Sequence, residues 1–139
     1  YDAALRVFRK AKELMVPGTV MADFHQAVGE FWEEEHIKLE LYTREEAEAR
    51  AGTEALWKKY FMHGTSHSMG LDVHDPFDRS KPFEPGMVLT CEPAIYIQKE
   101  KLGIRLENDI LITDKGPVDL MEDIPIDADE IEELMNRSY

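Results

Sequence analysis

Two runs decide the fold class: Met87-Val88-Leu89-Thr90-Cys91-Glu92-Pro93-Ala94-Ile95-Tyr96-Ile97-Gln98, and Gly103-Ile104-Arg105-Leu106-Glu107-Asn108-Asp109-Ile110-Leu111-Ile112-Thr113. Both are rich in β-branched residues, and a short polar link holding Lys99, Glu100 and Lys101 joins them, which predicts a hairpin of long strands. Asp114-Lys115-Gly116-Pro117 is a turn. Asp127 to Asn136 reads as a short closing helix, capped by Asp127 or Asp129.

Upstream the period changes. Ala4, Leu5, Phe8, Ala11, Leu14 and Met15 recur at the three-and-four spacing of an amphipathic helix over residues 2–15. Pro17-Gly18 ends it, and Thr19 is placed to cap a second helix running to about Glu35. Thr43 and Glu46 make a capping box for a third, predicted to reach about Phe61 on the apolar positions Ala47, Ala51, Ala55, Leu56 and Tyr60. Helices first and strands later, without βαβ alternation, give an α+β class: N-terminal helices packed on an antiparallel sheet in one domain, residues 1–139.

Asp and Glu number 29 against 16 Lys and Arg, a net charge of −13. That balance excludes a basic nucleic-acid footprint and disfavours acidic membrane surfaces. Most of the acidity, including Glu33 to Glu35, Glu45, Glu46 and Glu48, is read as solvated helix face. The single cysteine, Cys91, has no partner for an internal disulfide and points to a reducing, cytoplasmic compartment. No run approaches the roughly 20 apolar residues of a membrane helix. The chain opens at Tyr1 inside a helical pattern, with neither initiator Met nor signal peptide, which predicts a piece of a longer protein. Strands missing from such a piece would leave a sheet edge and apolar surface uncovered, so self-association into homo-oligomers, or poor solubility, is expected.

Three of the five histidines fall within His63-Gly-Thr-Ser-His67-Ser-Met-Gly-Leu-Asp-Val-His74. The His63–His67 gap suits two ligands on one helix face, but Gly64 and Gly70 argue for loop or strand, and a shared role requires the chain to curl around one site. One histidine alone is more often structural; three in a glycine-punctuated, proline-flanked segment favour function. Glu92 is a carboxylate among apolar strand residues, costly to bury unless paired or metal-bound, and Pro93 interrupts the ladder where it projects. Arg105 and Glu107 share a strand face; a cross-strand salt bridge is the plain reading, a metal-binding Glu with an orienting Arg the functional one. Pairing of the two runs would bring Glu92 near Glu107, and a metal ion is one remedy for their repulsion. Such nitrogen and oxygen donors suit Mn²⁺, Fe²⁺, Co²⁺ or Zn²⁺. Cys91 alternates away from Glu92 and reads as a small core residue.

The histidine segment, Glu84-Pro85-Gly86-Met87-Val88-Leu89-Thr90-Cys91-Glu92-Pro93, and Gly103-Ile104-Arg105-Leu106-Glu107-Asn108-Asp109 together resemble the aminopeptidase P and prolidase branch of the pita-bread metallopeptidases, over essentially the whole chain. The resemblance implies the C-terminal part of a catalytic domain with a partial pita-bread fold. It also implies hydrolysis of the bond before proline in a peptide whose second residue is proline, at a site of two divalent ions, most often Mn²⁺. His67, Glu92 and Glu107 would be metal ligands, Glu107 shared by both ions. His74 would contact substrate and assist proton transfer, His63 would line the substrate pocket, and Arg105 and Tyr96 would support the site. Ala94 stands where the family more often has Gly. The family's other two ligands, aspartates eleven positions apart before the first helix, are absent, because only Asp2 and Asp23 precede His67. The isolated chain is therefore expected to bind metal weakly and to be inactive. The alternatives are a prolidase cleaving Xaa-Pro dipeptides, and a non-catalytic peptide- or partner-binding module.

Overall fold

Six of the twelve residues of the first helix, α1 (Asp2–Glu13), are buried, and they form the stripe its spacing predicts. The computed structural model describes residues 1–50 and 53–137. α1 packs on α2 (Met21–Lys38) and reaches the sheet at β1 (Val88–Cys91) and β5 (Gly116–Asp119). Thr19 does not cap α2. Its hydroxyl donates back to the Leu14 carbonyl (2.9 Å), closing the end of α1, and Val20 takes the N-cap position. Residues 18–20 are held instead by backbone bonds to Phe83 and a bridge to Pro82.

α2 runs past Glu35, and Glu35 is not on a solvated face: it is 3% exposed. Arg6 (2.6 Å) and Lys38 (2.7 Å) neutralise it. Burial pushes its pKa up, but the two cations more than offset that and hold it below the usual value. His36 beside it is fully buried, stacked on Trp32 and bonded to the Tyr42 hydroxyl (3.2 Å).

The Thr43–Glu46 capping box forms, but α3 is only Arg44–Glu48. The predicted continuation to Phe61 fails: a 3₁₀ turn occupies Leu56–Lys59, and Ala51 lies outside the described residues. An alanine stripe offers little to bury, whereas the turn drives Trp57 (1% exposed) onto Gly29 of α2. A Cβ at Gly29 would overlap the indole, so only glycine admits the ring this close.

The long hairpin is present but broken once. β1 pairs antiparallel with β4 (Asn108–Thr113), and β2 (Ala94–Ile97) with β3 (Leu102–Arg105). The register is the same on both sides of the break, so Glu92 stands opposite Glu107 and Pro93 opposite Leu106. Pro93 cannot donate to the ladder, and there the ribbon splits into a three-stranded sheet, β1-β4-β5, and a two-stranded one. Leu89, Cys91, Ile110 and Ile112 join Phe8, Met15, Phe24 and Trp32 in one core. The closing helix α4 (Ala128–Asn136) has Asp127 at its N-cap without a side-chain capping bond, because that carboxylate binds Arg9 (3.0 Å). No helix among the described residues is long and apolar enough to cross a membrane.

Candidate metal centre

The break in the hairpin is also where the histidine segment arrives. Residues 65–69 run extended along the outer edge of β1: Thr90 N–H donates to the His67 carbonyl (3.0 Å) and Glu92 N–H to that of Thr65 (2.9 Å). The Thr90 hydroxyl accepts the His67 N–H (3.0 Å), so the face shared by Thr90 and Glu92 is the face His67 meets. The chain then turns back over residues 68–75, the curl that a shared role for the histidines would require.

His67, Glu92 and Glu107 each bring one donor atom into a group within 4.8 Å of one another. His67 Nε2 lies 3.7 Å from Glu92 Oε1 and 4.0 Å from Glu107 Oε1. The other oxygen of each carboxylate faces Arg105, at 3.8 Å for Glu92 Oε2 and 3.2 Å for Glu107 Oε2. His67 Nδ1 is 3.1 Å from the Ser68 carbonyl, which only accepts, so Nδ1 carries the proton and the Nε2 lone pair points at the carboxylates. A backbone carbonyl fixing the tautomer of a ring whose other nitrogen is free is the arrangement of a metal-ligating histidine. The donor set therefore fits a divalent ion: one imidazole and two carboxylates, with Arg105 holding the far oxygens.

The flanking groups are arranged around this cluster. The His74 ring lies edge-on to His67, centroids 4.4 Å apart. His63 donates through Nδ1 to the Gly64 carbonyl (2.7 Å), leaving Nε2 to accept from the Tyr96 hydroxyl (3.0 Å). Tyr96 thus contacts His63, while Arg105 contacts both carboxylates. Asp109, which shares a strand face with Glu107 in sequence, is not in the cluster; it pairs with Thr90 in the β1–β4 ladder. Cys91 is fully buried, and burial raises its thiol pKa, as a core role requires.

Two contributors escape the sequence. His25 binds the Thr65 hydroxyl (2.8 Å) and, with His63, Ser66 and Arg79, lines a cavity of about 350 Å³ beside the centre. Burial, then Lys58, His63 and Arg79, lower its pKa. Asp119, nearly buried, takes two bonds from Asn108 (3.0 Å each) and an ion pair from Lys12 (3.2 Å), tying the strand after Glu107 to β5 and α1. Neither carries a local sequence signal, because each partner is far along the chain.

Known proteins share this fold. The model of metallopeptidase family M24 matches residues 1–114. The chain is 37% identical to Xaa-Pro aminopeptidase of Escherichia coli, over 97% of the chain and 33% of that protein. It superposes on aminopeptidase P from E. coli with the inhibitor Pro-Leu at a TM-score of 0.83 and 36% identity, covering 97% of this chain and 33% of that one. On zinc-substituted E. coli aminopeptidase P in complex with product the TM-score is 0.86 at 35% identity, covering 100% and 34%. The mixed helical and antiparallel architecture is that of the aminopeptidase P structures, and the chain spans about a third of the length of these relatives. It belongs to metallopeptidase family M24.

Proposed function

We propose that residues 1–139 are the C-terminal part of a metallopeptidase catalytic domain, and that the protein releases an N-terminal residue that precedes proline. The observation that supports this most is the convergence of the free His67 Nε2 lone pair with one oxygen from each of Glu92 and Glu107. Those three residues are the proposed ligands, with Mn²⁺ favoured because oxygen donors predominate. Glu107 is proposed to be shared by two ions, which calls for further carboxylates; two aspartates outside residues 1–139 would supply them, and the chain alone would be inactive. When bound, divalent metal supplies Lewis acidity to the peptide carbonyl and lowers the pKa of water.

The chain's own residues do the rest. Arg105 holds the far oxygens of both carboxylates, so their near oxygens stay together despite repulsion. His63 has both ring nitrogens engaged, so it shapes the substrate pocket rather than exchanging protons. His74, exposed at the edge of His67, is placed to hold or move a proton at the reacting peptide. The buried free thiol of Cys91 suits a reducing, cytoplasmic setting.

Incubating the complete, Mn²⁺-loaded protein with Xaa-Pro-Xaa tripeptides and Xaa-Pro dipeptides tests the proposal. Release of the first amino acid from tripeptides is expected. Turnover of dipeptides alone would make it a prolidase. No turnover by protein with bound metal would leave a peptide-binding module.

A further inference from the structure

His74 is held in place almost entirely by the loop that carries it. Its ring meets His67, but no hydrogen bond to its nitrogens exists among the described residues. The loop buries little: Leu71 and Val73 are 104% and 71% exposed, so apolar contact does not fix its shape. Hydrogen bonds do so instead, and two of them meet at one residue. The Ser68 hydroxyl donates to the Asp75 carbonyl (2.6 Å), closing the loop at its base. Asp72 N–H donates to Asp75 Oδ1 (2.9 Å), turning the loop back on itself. Gly70 N–H donates to the Asp72 carbonyl (3.2 Å), and a Cβ at Gly70 would overlap the Asp75 carboxylate. The carboxylate occupies the space that any larger residue at position 70 would fill.

We infer that Asp75 is a positioning residue: its carboxylate and carbonyl close the loop of residues 68–75 and so seat His74 against His67. The inference rests on the proposed function insofar as His74 meets substrate there. Asp75 touches neither ligands nor reacting atoms, so its loss leaves metal affinity intact and moves the His74 ring.

The test uses the complete protein with Asp75→Ala, Asp75→Asn and Gly70→Ala. Three quantities are read: Mn²⁺ affinity by calorimetry, kcat and KM on an Xaa-Pro-Xaa peptide, and the proximity signal between His67 and His74 ring protons in histidine-labelled, metal-free protein. Asp75→Ala and Gly70→Ala should lose the ring-proton signal and lower kcat about tenfold to a hundredfold, with KM and Mn²⁺ affinity within about twofold. Asp75→Asn keeps an oxygen acceptor and should restore both the signal and kcat. Retention of the signal and of kcat in Asp75→Ala overturns the inference, as does an equal loss of Mn²⁺ affinity. If Asp75→Ala does not fold, the folded Asp75→Asn decides by its ring signal: present supports the inference, absent overturns it. A protein with no peptidase activity refutes the proposed function, and the ring-proton signal still judges Asp75.

Discussion

Glu92 follows a fully buried cysteine and precedes a proline, a position where an ionised carboxylate would be expensive without a partner. The structure gives it Arg105 on one side; on the other, the His67 Nε2 lone pair faces it across a gap that a cation would satisfy. This much was legible at single residues, because strand alternation and the Pro93 interruption both marked Glu92, and the Arg-x-Glu pair marked Glu107. The meeting of the two carboxylates followed from the hairpin itself, since one unbroken register places them opposite. The tautomer of His67 and the role of Thr90 were not legible, because both depend on residues 65–69 lying along β1. Among the flanking groups, Tyr96 has a separable effect. Tyr96→Phe removes the only donor to His63 Nε2 among the described residues and should lower the unfolding free energy by about 1 kcal/mol in urea titration, with Mn²⁺ affinity unchanged.

At the scale of elements, amphipathic spacing found α1 and α2, and a capping box found the start of α3. It misjudged where α3 stops, because the competing element is a 3₁₀ turn whose advantage is tertiary: Trp57 against Gly29. Helix propensity alone says Gly29→Ala should stabilise α2 by about 1 kcal/mol. The indole contact reverses the sign, and a loss of about 1–3 kcal/mol is expected in urea titration. Glu35 was likewise misread as solvated helix face; its pairing with Arg6, and the stacking of His36 on Trp32, cannot be seen from spacing. Burial drives the His36 pKa down from 6.5 to about 4. The unfolded chain therefore binds the extra proton first as pH falls. The contribution is fully present above pH 6.5 and is lost progressively toward pH 4, up to about 3 kcal/mol. Glu35, also depressed, adds a loss in the same direction below its unfolded value of 4.5. Stability curves against pH should show this fall, and His36→Phe should flatten it between pH 6.5 and 4.

For the whole molecule, the α+β class, the long hairpin and its interruption at Pro93 were readable, while the three-stranded sheet was not, because the Gly116-Pro117 read as a turn begins β5. The surface combines a strong negative charge with exposed apolar side chains: Leu71, Val73, Leu120, Ile124 and Met135. Charge keeps copies apart and apolar surface draws them together. Self-association should therefore grow as salt screens the charge, the Debye length shrinking from about 30 Å at 0.01 M to about 3 Å at 1 M. Size-exclusion chromatography across that range should show a rising apparent mass, and a clean monomer throughout would contradict it.

The claim on which the rest depends is that His67, Glu92 and Glu107 hold divalent metal. Calorimetric titration with Mn²⁺ tests it most directly, comparing the protein with His67→Ala and with Glu92→Gln/Glu107→Gln. Saturable binding is expected in the parent, weakened at least about tenfold by His67→Ala and abolished by the double substitution. With so acidic a chain, weak binding elsewhere is the control to exceed. Mn²⁺ binding that survives all three substitutions unchanged, or a parent that binds none, would contradict the account.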